Sequence, residues 1–128
     1  GFCVLYSATG DKVWLDHAAR LLETVRGQFE SDGAFHDTAA DADRLYFRPS
    51  DPTDNATPSG ASAAAAGFVA YAVTAGSLDH IDDAHRALAA AGRLADRAPR
   101  FAGYGLAVAE ALLSDVPAAF MCPGPFCA

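Results

Sequence analysis

The stretch YSATGDKVWLDHAARLL, residues 6–22, returns in altered form as YAVTAGSLDHIDDAHRAL, residues 71–88. Laid over each other at an offset of 66 residues, the two align Gly10 with Gly76, Leu15 with Ile81, Asp16 with Asp82, Ala18 with Ala84, Arg20 with Arg86 and Leu22 with Leu88. Each copy reads as the end of one helix, a glycine stop, and the start of an amphipathic second helix. The repeat is about twice a tetratricopeptide unit, so helical hairpins with one long loop each fit it better than a simple superhelix. Such hairpins bury one stripe and leave another to be covered by neighbours.

Outward from that repeat, Trp14, Ala18, Leu21, Leu22, Val25 and Phe29 recur at three-and-four spacing, which predicts a helix from Asp11, its natural cap, to Phe29. The segment GAFHDTAADADRLYFRPSDP changes character and predicts a long excursion with short β-structure around 34–48. A helix is expected from about Pro58 to Ala75, with Thr57 as cap and Pro58 at its first position. Another should span about Leu78 to Arg97, and a last one about Arg100 to Ser114. Residues 1–115 are therefore read as all-α hairpins, and residues 116–128 as a separate strand or turn carrying Cys122 and Cys127.

The chain has 128 residues, 52% of them hydrophobic, the length and apolar content of one domain. Its net charge of −7 offers no basic stripe for a nucleic-acid backbone, and no apolar run approaches the about 20 residues that cross a bilayer. Three cysteines are an odd number and too few for a disulfide scaffold, which favours a reducing, cytoplasmic compartment. The opening GFCVLYSATG, which lacks an initiator methionine and starts inside a helix, suggests a fragment.

Most of the candidate chemistry lies in DPTDNATPSGASAAAAGF, residues 51–68, where polar residues gather just before an alanine run. Asp51 and Asp54 build turns and Thr57 caps the helix on one reading. On the other, Asp54 transfers protons, Asn55, Thr57 and Ser59 hydrogen-bond a hydroxyl-rich ligand at the positive end of a helix, and Arg48 holds an anion. Asp37 is a second carboxylate that can face the same rim, since paired carboxylates serve proton transfer at sugars; it is otherwise a solvated loop acid. His17, His80 and His85 fall on outer or charged helix faces, and Cys3 reads as core. Cys122 and Cys127 are too widely spaced for the usual redox motif but can meet in a turn, and no Cys/His set suggests a metal. No cofactor is expected.

The order LYSATGDKVWLDHAARLL, DGAFHDT, RPSDPTDNATPSGASAAA and a closing C-x4-C resembles the C-terminal part of the YyaL-type thioredoxin-domain-containing proteins, which include the spermatogenesis-associated relatives. The resemblance covers nearly the whole chain, with RP-x-DPTDNATPSG its most specific part. It implies a piece of an (α/α)6 toroid, similar to six-hairpin glycosidases and N-acylglucosamine 2-epimerases, beside an N-terminal thioredoxin-like domain. The expected function is then a sugar isomerase or epimerase-like activity in carbohydrate metabolism, with the isolated piece inactive. The alternative is a non-catalytic scaffold, or a redox or client-binding partner of that thioredoxin-like domain. Ala61 and His36 stand where the family has Asn and an aromatic, and the segment after Asp115 is shorter than in relatives.

Overall fold

A computed structural model describes residues 1–42 and 47–114. They form α1 (Phe2–Thr9), α2 (Val13–Phe29), the short strands β1 (Glu30–Ser31) and β2 (Ala34–Phe35), α3 (Gly60–Ala75), α4 (Ile81–Ala95), a 3-10 turn (Pro99–Phe101) and α5 (Gly103–Leu113). The fold is all-α, built of helical hairpins, with one two-stranded ribbon among the described residues. Tyr46 and the expected C-terminal strand, with Cys122 and Cys127, lie outside the described residues.

Both copies of the repeat fold alike. Gly10 and Gly76 each adopt the left-handed conformation, φ 71° and 65°, and each donates its N–H to the carbonyl four residues back, Tyr6 and Ala72. That geometry favours glycine because a Cβ would crowd the following carbonyl. Asp11 Oδ1 then accepts the Val13 N–H at 3.0 Å and starts α2. Gly33, φ 74°, and Asp32, φ 53°, turn β1 into antiparallel β2, a tighter and earlier ribbon than the excursion around 34–48 suggested.

The helical stripes meet in a core of Leu22, Phe35, Ala65, Phe68, Val69, Ala84, Ala87, Leu88 and Val108. Phe68 sits at its centre, fully buried, with Phe35 edge-on at 6.0 Å. Small side chains on α3 and α4 let these two helices pack closely, so alanine supplies proximity while the aromatics and leucines supply most of the transfer energy. The α3 cap differs from the sequence expectation. Ser59, rather than Thr57, accepts the Ser62 N–H on its side chain at 3.1 Å, and Pro58 lies outside the helix. Exchange of Ser59 for alanine is expected to destabilise the fold by about 1 kcal/mol, read by urea unfolding, whereas Thr57→Ala should leave stability unchanged.

Candidate functional site

The loop from Pro49 to Ser59 is fixed at many points. Asp37 donates its N–H to Pro49 O at 2.8 Å, and its Oδ2 accepts the Asp51 N–H at 2.8 Å. Asp51 Oδ1 accepts both the N–H and the hydroxyl of Thr53, at 2.9 and 2.7 Å. The Thr53 hydroxyl, with its amide beside it, holds the Asp51 carboxyl below the usual range. Asn55 gives its side-chain amide to Thr53 Oγ1 at 3.0 Å and its backbone N–H to Thr57 O at 3.1 Å. Loops stapled in this way hold their exposed groups in place.

Asp54 lies beneath this loop. Its Oδ1 accepts the Ser59 N–H at 2.9 Å and its Oδ2 the Gly105 N–H at 2.8 Å, while its own N–H goes to Phe101 O at 2.7 Å. One carboxylate thus caps the N-termini of α3 and α5 together, and the two helices lie side by side from that point. Ala102, at the head of α5, has no side-chain oxygen to serve as a cap, so the cap comes from 51 residues earlier in the chain. Burial pushes the Asp54 carboxyl up, but the Ser59 and Gly105 amides and the Ser62 and Ser59 hydroxyls outweigh it, leaving the pKa below the ordinary value. The two helix dipoles favour the same charged form. A carboxylate with both oxygens engaged and its ionised form favoured is built to hold helices together.

Asp37 approaches the first turn of α3 from another loop. A Cβ placed on Gly60 would sit 3.3 Å from Asp37 Oδ1, so glycine lets this carboxylate come close. Two carboxylates therefore flank one helix start, Asp54 buried and Asp37 exposed. Asn55 and Thr57 are exposed on the loop, and Ser59 is buried as the cap. Arg48 stands apart from them. It donates to Gln28 O at 2.9 Å, Thr38 O at 2.6 Å and Ser31 Oγ at 3.3 Å, tying the excursion to the end of α2. His36 joins the same knot, with Nε2 3.0 Å from Ser31 Oγ.

Two open clefts lie elsewhere. One, of about 500 Å³, is apolar and runs between α1, α2 and α3, with Phe2, Leu21, Gly67, Ala70 and Tyr104 in its wall. Cys3 also lines it, half-buried rather than in the core, and burial raises its thiol pKa. The other, of about 420 Å³, lies between residues 50–52 of the loop and the end of α4. Neither cleft has Asp37, Arg48, Asp54, Asn55, Thr57 or Ser59 in its wall.

The structure corrects the placement of one histidine. His80 was expected on an outer face; it is buried, its ring 5.4 Å from those of both Phe68 and Tyr71. Its Nδ1 lies 2.9 Å from Asp83 Oδ2, Arg86 binds the other oxygen of Asp83, and Arg86 Nε lies 3.7 Å from Glu30 Oε1. The signal was present as His80, Asp83 and Arg86 at three-residue intervals, which brings each within reach of the next at the start of α4. The apolar rings against His80 come from α3. His17, by contrast, is exposed beside Phe2 and Trp14.

Among the described residues, no three or more His, Cys, Asp or Glu side chains are grouped to hold a metal ion, and no helix is long and apolar enough to cross a membrane. No protein-family model, curated protein or solved structure matches the chain.

Proposed function

We propose that this chain is a run of hairpins from an (α/α)6 toroid of the YyaL type, and that its 51–59 loop forms part of the rim where the toroid holds a carbohydrate-like molecule. The observation that carries the reading is the pair of carboxylates at the start of α3, one sealed and one open, beneath a stapled loop that presents Asn55 and Thr57. Fixed amide and hydroxyl groups suit a polyhydroxylated ligand because they need little ordering on binding. In an isomerase or epimerase-like reaction, Asp37 is the group placed to move a proton, and Asp54 positions the loop and helix around it. Arg48 supports the Asp37 side of the loop through Thr38 O. A cytoplasmic setting belongs to this reading, supported by the odd number of cysteines and the free thiol of Cys3.

Titration of the protein with glucose, mannose and N-acetylglucosamine, followed by saturation-transfer NMR, tests this. At least one sugar should bind, and Asn55→Ala and Asp37→Asn should each weaken it about tenfold without lowering the melting temperature, since about 1.4 kcal/mol of contact is lost. Asparagine at 37 retains an acceptor for the Asp51 N–H, so the loop should keep its shape. Absence of binding by all three sugars, or equal affinity in the double variant, would defeat the reading.

A second reading, a non-catalytic scaffold for a thioredoxin-like domain, is favoured by one observation. Val4, Leu5 and Leu21 are exposed along the apolar cleft, a surface suited to another helix or a client segment.

A further inference from the structure

The cleft between the end of α4 and the loop is lined by Ser50, Pro52, Leu94, Arg93, Asp96 and Arg97, with Ala90 at its base. We propose that this cleft binds the oxyanion of a small molecule, a phosphate monoester or a carboxylate, through the guanidinium groups of Arg93 and Arg97. The inference rests on the carbohydrate-rim reading for the neutral remainder of the ligand, because Ser50 and Pro52 lead directly into the 51–59 loop; the anion site itself stands on its own residues.

Arg93 lies in the last turn of α4 and Arg97 two residues past its end, and both line the cleft. Both are exposed, and neither takes part in an ion pair or side-chain hydrogen bond among the described residues. Lys12 and Arg20 are likewise unpaired among the described residues, so what distinguishes Arg93 and Arg97 is that they share the wall of one cleft. Arg26 and Arg86 have both found carboxylates, and Arg48 carbonyls. Asp96 lies in the same wall yet forms no ion pair with either arginine, so two cations face one carboxylate. The neighbouring Asp51 has Oδ1 committed to Thr53.

A helix C-terminus attracts cations and disfavours anions, but its charge is about half a unit, well short of two guanidinium groups. Neither guanidinium bonds the last carbonyls of α4, of which Leu94 O accepts the backbone N–H groups of Arg97 and Ala98. Two planar forks with free N–H groups match an oxyanion bidentately. Pro52, Leu94 and Ala90 give the adjoining part of the ligand an apolar wall, and the Ser50 oxygen is a further acceptor beside it. The volume, about 420 Å³, fits a small molecule, and the net charge of −7 repels an extended polyanion.

The test is titration of the 15N-labelled protein with inorganic phosphate and, separately, with sodium acetate, each against sodium chloride at matched ionic strength. Saturable shifts confined to residues around Arg93 and Arg97, with either anion, support the site; which anion saturates identifies phosphate or carboxylate as its ligand. Arg93→Gln and Arg97→Gln should each weaken binding about fivefold to tenfold, in line with loss of one charged hydrogen-bonding group, and the double variant should lose it while still unfolding cooperatively. Shifts that track chloride, or that persist in the double variant, overturn the proposal. Phosphate binding without any binding of neutral sugars would keep this site and remove the rim reading. Sugar binding with no response to either anion would do the reverse.

Discussion

Replacing Asp54 with alanine is expected to destabilise the fold by about 3 kcal/mol, the largest loss from removing any polar side chain of the loop. The change leaves the Ser59 and Gly105 amides, both in buried surroundings, without their acceptor. Each was a charge-assisted bond, and each becomes an unsatisfied donor at a helix end. Asp54→Asn should cost nearly as much, because the side-chain amide can accept from only one of the two N–H groups and turns a donor toward the other. The pH dependence has a definite sign. The folded pKa lies below the ordinary value of 3.8, so the contribution is complete above about pH 4 and is lost as pH falls through the folded pKa. Urea unfolding at pH 7 should therefore separate wild type from variant widely, and the gap should narrow below pH 4. Equal stability at pH 7 would mean that the clamp contributes nothing.

Gly105→Ala should be comparably severe, at about 3 kcal/mol, and any larger residue there should prevent α5 from docking. A Cβ at this position would sit 2.7 Å from the Cβ of Ala91 and 2.9 Å from Ser62 Oγ, both on packed helices. Neither neighbour is the end of a flexible chain, so α5 must move away from α3 and α4. That movement stretches the Gly105–Asp54 hydrogen bond, and the two effects add to the usual overpacking cost. Alanine would raise helix propensity by about 1 kcal/mol in an isolated α5. The sign of the measured change thus separates local from tertiary control: a stabilised variant would show that α5 does not approach α4 this closely. Gly67→Ala is a milder comparison, since its Cβ would meet only the end of Leu22 at 3.3 Å.

Helix periods, the glycine stops at Gly10 and Gly76 and the apolar line Ile81, Ala84, Leu88, Ala91 and Leu94 were legible in the residues, because each depends on neighbours within one or two turns; of that line Ala84, Leu88 and Ala91 are buried and its two ends half-buried. The repeat across residues 6–22 and 71–88 was legible for the same reason, and the two hairpins fold as its alignment implies. The α3 cap was misplaced by two residues, Thr57 for Ser59, because several capping residues stand in a row and only the path of the loop selects among them.

Asp54 and His80 show where local reading ended. Each is a polar residue in a polar stretch, and each is buried because another element supplies what it needs: Gly105, 51 residues on, for Asp54, and the Phe68 and Tyr71 rings of the preceding helix for His80. The sequence by itself determined which segments become helices and which faces of them are apolar, since those follow from bonds and side chains within a few residues. Only the tertiary structure decided which acids are spent on helix ends and, among the described residues, which charges stay unpaired. A carboxylate has the same valence toward any amide, and the packing of α3, α4 and α5 chooses the amides within its reach.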